Sequence, residues 1–318
     1  MSVPTVSRVL TGSAPVSAQR RERVLAAIEE LGYRPNGAAR ALITGRQSVI
    51  AVLAGATTRY GYALTIQGIE EAARLAGYIV MITVVESDEP RIVKDTIDLA
   101  LANPVAGVIV LKFDPAGIAT ARALPPGMPV VAVSGGRGSR LPHVVLDDTA
   151  AGVAATEYLL SLGHRTVHHI AVPPAGRRNG RAAGWRRALE RAGAPVPPLL
   201  EAGWDPHRAY EIGLTLAERT DVTAVLCGND ELAIGLLRAL HERGRRVPEE
   251  ISVVGFDGHP LGALWRPSLT TVEQDFVDLG RRAFQQVCSL IGEGHAPRTS
   301  VSTPRLVIRE STGPPPGK

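Results

Sequence analysis

The sequence predicts two doubly wound α/β lobes preceded by a small, partial all-α head. Three observations carry that reading. Apolar runs of strand length alternate with stretches of helical periodicity from Gln47 onward, the alternation restarts after Asp147-Asp148, and the surplus of positive charge is confined to one end. Residues 1–46 hold seven arginines against three glutamates, whereas the other 272 residues balance at 28 against 28. With 318 residues, 45% of them hydrophobic, the chain can bury two cores and does not fit a disordered or fibrous class.

The head comes first. Residues 5–10, TVSRVL, predict a short helix broken by the turn cluster Thr11-Gly12-Ser13-Ala14-Pro15, and Ser17 is suited to cap the next helix. That second helix runs to about Leu31, with Val24, Leu25, Ile28 and Leu31 on one face, and Gly32 ends it. A basic module of this size suits contact with phosphate; a solvated arm would carry the same charge.

The runs SVIAVLA, YIVMITVV, VAGVIVL and PVVAV follow, separated by helical stretches at 62–76 and 89–102. Continuous rather than alternating apolar strands imply a parallel sheet covered on both faces. The second series places helices at 148–162, 177–192, 207–219 and 230–243, with strands at 166–172, 223–227 and 251–255. An amphipathic helix at 275–293 and a strand-like 298–308 return the chain to the first lobe, and the tail GPPPGK is expected to be disordered.

Several classes are excluded or left without a motif. The longest apolar runs, such as Val105–Leu111, fall far short of the roughly 18 residues of a membrane helix, and the N-terminus carries no export signal, so a cytoplasmic protein is expected. Cys227 and Cys288 read as core. His164, His168 and His169 have no neighbouring acid, so no metal site is read there. No dinucleotide, nucleophile-elbow or zinc-protease motif supplies a catalytic residue or a cofactor. The loop Gly135-Gly136-Arg137-Gly138 lacks a P-loop lysine and reads as a turn rather than a phosphate cradle.

The run PTVSRVLTGSAPVSAQRRERVLAAIEELGYRPNGAARALITGRQSVIAVL is similar to the start of the lactose-repressor (LacI/GalR) family. AGW at 183–185, AVLCGNDELAIGLLRAL at 224–240, ISVVGFD at 251–257 and PSLTTVEQDFVDLG at 267–280 extend the resemblance over nearly the whole chain. It implies two periplasmic-binding-protein-like lobes behind a helix-turn-helix head and hinge helix, acting as a ligand-controlled repressor. The head would be 1–34, the hinge helix and linker 35–46, and the effector-binding and dimerisation body 47–318. Within the body, lobe 1 would be about 47–147 plus 275–303 and lobe 2 about 148–272 plus 304–312.

In that pattern TVSRVL is the recognition helix, with Ser2, Val3 and Pro4 at base edges and Thr5, Ser7 and Arg8 at phosphates. Taken without the resemblance, Thr5 and Ser7 are cap residues and Arg8 a solvated charge. PNGAARAL at 35–42 resembles the hinge helix, in which Asn36 and Arg40 would meet DNA and Leu42 would wedge between base steps of the minor groove. The family carries a further helix ahead of TVSRVL that would cover Val6, Val9 and Leu10. The sequence opens inside the motif, so that helix is expected to be missing and the head weakly packed.

Folds of this kind bind small molecules at the carboxyl ends of the strands. The resemblance places Tyr60, Tyr62, Arg181, Trp204, Asn229, Asp257 and Gln274 there, with Tyr62 at the better match for the family's aromatic ring. Arg181 offers a planar fork for paired oxygens, Trp204 a flat apolar face, and Asp257 and Gln274 acceptors for hydroxyls. Without the resemblance Asn229 is an N-cap, Arg181 a helix-surface arginine and Trp204 core. The set points to a sugar or sugar derivative and also permits a nucleoside. Expected partners are a pseudo-palindromic double-stranded DNA operator, a carbohydrate-class effector and a second copy of the chain, with no membrane. Three rivals stand beside this reading: an exported sugar carrier, which has no use for a basic head; an enzyme, which lacks a motif; and a ligand-binding dimer whose truncated head no longer binds DNA.

Overall fold

The computed structural model describes residues 2–11, 14–32, 47–136, 140–173 and 180–317. They fall into a head, 1–48, and a body, 49–318. In the head, α1 (Val3–Thr11) begins two residues ahead of TVSRVL because the Ser2 carbonyl accepts from the N–H groups of Thr5 (3.0 Å) and Val6 (3.3 Å). Pro4, having no N–H, loses nothing in a first turn. Helix α2 (Ala18–Glu30) starts after Ser17, whose carbonyl accepts from Arg20 and Arg21 while its side chain makes no cap. Val24 is buried, Leu25 and Leu31 of the same predicted face are exposed, and Gly32 closes the helix at a φ of 57°.

The first sheet of the body contains β1 (Val49–Ala54), β2 (Ile79–Val84), β3 (Gly107–Lys112), β4 (Val130–Ser134), β5 (His143–Leu146) and β11 (Thr299–Ser302). They run parallel in the order β11-β5-β4-β3-β1-β2. Helices α3 (Tyr60–Leu75) and α11 (Phe276–Glu293) cover one face, and α4 (Pro90–Leu101) and α5 (Pro115–Ala123) the other. Strand β2 departs from the expectation of strands buried on both faces. It is the sheet edge, and Ile79, Ile82 and Val84 are exposed.

The second sheet contains β6 (His168–Ala171), β7 (Leu200–Glu201), β8 (Ala224–Cys227), β9 (Ser252–Asp257), β10 (Thr270–Glu273) and β12 (Arg305–Val307). Their order is β12-β10-β9-β8-β6-β7, parallel except for the antiparallel β10–β12 pair. Helices α6 (Asp148–Ser161) and α7 (Arg181–Arg191) pack on one face, α8 (Pro206–Ala217) and α9 (Asp230–Glu242) on the other, and α10 (Pro260–Leu264) follows β9. In each sheet the order reverses once, between β1 and β3 and between β6 and β8, which opens a crevice at the carboxyl ends of those strands.

The stretch read as one strand at 298–308 is two, β11 and β12, one in each sheet. The tail is anchored where it was expected to be disordered. Ser311 is fully buried, the Gly313 N–H donates to Ser252 Oγ (3.0 Å), and its carbonyl lies 3.0 Å from His164 Nε2. Cys227 is buried, whereas Cys288, read as core, is half-buried at the edge of the first core. Among the described residues, no helix is long and apolar enough to cross a membrane.

The helix pairs approach each other through glycine. A Cβ on Gly68 of α3 would collide with the Val277 carbonyl of α11, and one on Gly280 with the Thr65 carbonyl of α3. Gly152 and Gly184 do the same for α6 and α7, against Arg181 and Thr149. One helix therefore supplies a test with opposite signs. Gly280→Ala should destabilise the body by about 1–3 kcal/mol through overpacking. Gly292→Ala, on the same helix with open space around it, should stabilise by up to about 1 kcal/mol through helix propensity. Urea unfolding of the two variants checks this, and equal signs would remove the packing account.

Candidate functional site

The crevices of the two sheets join in a cavity of about 650 Å³. Its lining comes from the strand ends: Arg59, Tyr60 and Tyr62 beyond β1, Phe113 beyond β3, Gly135 beyond β4 and Asp148 beyond β5. From the second sheet come Arg181 beyond β6, Trp204 beyond β7, Asn229 and Glu231 beyond β8, Asp257 at the end of β9 and Gln274 beyond β10. The structure thus gathers all seven sequence-predicted effector residues into one lining.

Arg181 is the centre of the polar set. Its side chain is 9% exposed; Nε donates to Asp148 Oδ2 (3.2 Å), one terminal nitrogen to Asp257 Oδ1 (2.6 Å), and the other to the Gly228 carbonyl. Its flat face lies over the Phe256 ring at 4.1 Å. Burial works against its charge, but Asp257 and Asp148 outweigh burial and hold its pKa above the ordinary value. Asp257 takes a φ of 96°, a conformation few side chains adopt, and its carboxylate accepts from Arg181 and from Gln274 Nε2 (2.8 Å). That bond fixes the Gln274 amide with Nε2 toward Asp257, which leaves Oε1 buried and without a partner.

Asp148 is in the same condition. Oδ2 meets Arg181, Oδ1 is buried with no partner, and burial pushes the carboxyl up to about 6 against the pull of Arg181. Gly135 makes room for it, since a Cβ there would collide with the Asp148 carboxylate. Trp204 lines the opening with its indole N–H buried and unpartnered, and the Arg59 guanidinium lies over its ring at 4.9 Å. Two orphaned acceptors and one orphaned donor therefore sit on side chains that line a single cavity, and a buried polar group without a partner costs free energy that a ligand reaching it with a matching group relieves.

The aromatic pair divides its roles. Tyr62 is 2% exposed, its hydroxyl donates to Asp114 Oδ2 (2.5 Å), and its ring stands edge-on to Phe113 at 5.1 Å. Burial, then Asp114, pushes its pKa up, so it is a packed floor residue. Tyr60 is half-buried and reaches the other lobe, with its hydroxyl 3.4 Å from the Gly258 carbonyl and its ring 4.6 Å from that of His259. Asn229 lines the cavity while capping α9: Oδ1 accepts from Leu232 N–H (2.9 Å) and Nδ2 donates to Glu231 (2.5 Å). Asp230 is structural, accepting from Thr271 Oγ1 and from the His259 N–H, both at 2.6 Å.

Arg59, Asp148, Glu231 and His169 line the cavity and were not among the predicted site residues. Asp148 had a signal, as the second of two acids where the chain leaves the first sheet; Arg59 had only its place beside Tyr60. His169 had none, because its partner is the backbone carbonyl of Leu226 (2.8 Å). In the head, Ser2 Oγ lies 3.0 Å from Thr5 Oγ1, Arg8 and Pro4 are exposed, and Ser7 is half-buried. The Val3 side chain, Asn36, Arg40 and Leu42, and Arg137 and Gly138 of the glycine loop, lie outside the described residues.

Comparison with known proteins places this geometry. Residues 1–36 match the model of the bacterial regulatory proteins of the lacI family, and residues 156–312 that of the periplasmic binding protein-like domain. The transcriptional repressor PurR of Pasteurella multocida is 30% identical over 98% of this chain and 95% of its own length. The chain belongs to the LacI family. Its architecture is that of a LacI-family regulator throughout: the lac repressor dimer bound to operator and the anti-inducer ONPF has a TM-score of 0.87 and 28% identity, over 98% of this chain and 96% of that one. The complex of the regulator CelR with cellobiose has a TM-score of 0.72 and 28% identity over the same shares. As a member of the family the chain is a ligand-controlled, DNA-binding transcriptional regulator.

Two buried groups pull the stability of this LacI-family body in opposite directions as pH changes. Burial pushes Asp230 up to about 7 and His169 down to about 4. The Asp230 carboxylate burdens the folded state above its folded pKa, and the burden eases as pH falls through about 7. His169 stays neutral in the fold, so once pH falls below the ordinary imidazole value of 6.5 the unfolded chain gains a proton that the folded one does not. Asp230→Asn removes the Asp230 slope, so the variant's melting temperature relative to that of the unaltered chain is expected to rise with pH between about 4 and 7 and to hold level above 7. A constant offset between the two chains from pH 4 to 8.5 would rule this out.

Proposed function

We propose that this protein represses transcription as a cytoplasmic homodimer on a pseudo-palindromic operator, and that a sugar or sugar derivative in the cleft alters its grip on DNA. Ser2, Val3 and Pro4 would meet base edges, and Thr5, Ser7 and Arg8 phosphates. In the hinge, Asn36 and Arg40 would hold the backbone while Leu42 enters the minor groove. The observation that carries the reading is the pairing of a head that matches the lacI family over 1–36 with a cleft whose unpartnered groups are hydroxyl-binding ones, Asp148 Oδ1 and Gln274 Oε1. A hydroxyl can donate to each of these acceptors, and Trp204 gives the ring a flat apolar neighbour.

The lobes are joined by crossing segments, so a ligand that prefers one lobe arrangement shifts the population toward it and reads out at the hinge. The cleft's chemistry is that of binding rather than reaction. Its buried carboxylates Asp148 and Asp257 are both engaged with Arg181, and among the described residues that line the cavity there is no Ser, Thr, Cys or Lys. Tyr60, Arg181, Trp204, Asn229, Asp257 and Gln274, with Tyr62 beneath them, form the proposed effector set.

Fluorescence anisotropy of the full chain against the promoter beside its own gene tests the DNA half. Leu42→Ala should weaken specific binding by at least about tenfold, roughly 1.4 kcal/mol, while leaving effector affinity near its original value. Arg8→Ala should weaken binding to all sequences alike and reduce the salt slope by about 1. Equal loss of operator and effector affinity in Leu42→Ala would remove the wedge role, and no specific binding by the unaltered chain would leave only the ligand-binding body.

A further inference from the structure

The polar groups of the cleft are not distributed evenly. Asp148 Oδ1 and Gln274 Oε1, on residues that are 8% and 6% exposed, are acceptors without donors. The donors without acceptors lie elsewhere in the lining. Trp204 has its indole N–H unpartnered, and the Arg59 guanidinium stacked on that ring has Asp114 as an ion-pair partner among the described residues, 3.9 Å away and beyond hydrogen-bond distance. That carboxylate is shared, since Oδ2 accepts from the Tyr62 hydroxyl and Oδ1 from the Gly117 N–H (2.8 Å).

Arg181 is held by Asp148, Asp257 and the Gly228 carbonyl, and Arg186 and Arg187 line the cleft from exposed positions on α7, so Arg59 is the half-buried guanidinium of the lining with donors to offer. Arg59 is also the N-cap residue of α3, and its side chain makes no cap bond to the helix. Tyr60, Gly61 and Tyr62, whose N–H groups belong to that first turn, all line the cavity. The N-terminal end of a sixteen-residue helix and a guanidinium beside it favour negative charge in the same place.

We propose that the effector of this cleft is an acidic sugar: a polyhydroxylated compound carrying one carboxylate or phosphate, its hydroxyls donating to Asp148 and Gln274 and its anionic group received by Arg59 and the first turn of α3. This rests on the reading that the cleft takes a sugar or sugar derivative. It adds that Arg59 sets specificity by charge. A neutral sugar satisfies the two acceptors and leaves the guanidinium with only the long Asp114 pair and the field of Glu231. An anion satisfies both ends, and its planar or tetrahedral oxygens match the fork of Arg59.

Isothermal titration calorimetry of the full chain decides it, using hexoses and pentoses each compared with its uronate, aldonate and terminal phosphate. At least one acidic member should bind about tenfold or more tightly than its neutral parent, the step expected of one charge-assisted contact. The uronate and phosphate arms distinguish carboxylate from phosphate. Arg59→Leu should remove most of that preference while changing the neutral parent's affinity by less than about threefold, and Arg59→Lys should retain part of it. Melting curves of both variants establish that they fold. If neutral parents bind as tightly as their acids, or Arg59→Leu weakens both alike, the acidic-sugar proposal is overturned and the sugar reading stands. If no saccharide binds at all, both are overturned.

Discussion

One buried guanidinium ties the body together. Arg181 joins the first residue of α6, Asp148, to the carbonyl beyond β8 and to the carboxylate that ends β9. A cation in so dry a place survives because two carboxylates and a carbonyl surround it; removing it would leave two like charges facing each other out of water. The helix that carries it is set against α6 by Gly152 and Gly184, so the close approach of two backbones positions the one side chain on which the strand ends converge. The switch points of the sheets dictate where a cleft forms, and Arg181 dictates how its floor is arranged.

The same engagement changes what Arg181 can do for a ligand. Its donors are occupied from within the protein, and what the network leaves unsatisfied is the second oxygen of Asp148 and, through Asp257, the carbonyl end of Gln274. The cleft is therefore read best from the groups that the arginine leaves unsatisfied. Trp204 and Arg59 stand apart from this network, and the two sets differ in polarity.

The sequence carried the class of fold well, because continuous apolar strands and their alternation with helices are local signals. The elements it did not reveal are short or interrupted. Helix α5 has only nine residues and contains Gly117, β7 has two residues, and β5 and β10 have four each, too few for a period to show. Strand β2 is as apolar as its neighbours, and its exposed residues follow from lying at the edge, which no local pattern records. Around the cleft, residues at strand ends with strong family motifs were legible. Whether a side chain was already engaged was not: the occupied hydroxyl of Tyr62 depends on Asp114, 52 residues away, and the closure of Tyr60 onto Gly258 spans 198.

The three passages of the chain between the sheets also bear on the order in which the protein can be made. The second core is built from one nearly continuous stretch, whereas the first lacks both its edge strand β11 and the covering helix α11 until residues 276–302 have been synthesised. Helix α11 places Phe276, Leu279, Ala283, Phe284 and Val287 in that core. A nascent chain that has completed β10 thus carries one lobe ready to close and another with an open apolar face, although the open one was begun first. For this topology, the lobe first to emerge from the ribosome waits longest for a covering helix, and the interval before α11 is made is when its open apolar face is most exposed to aggregation.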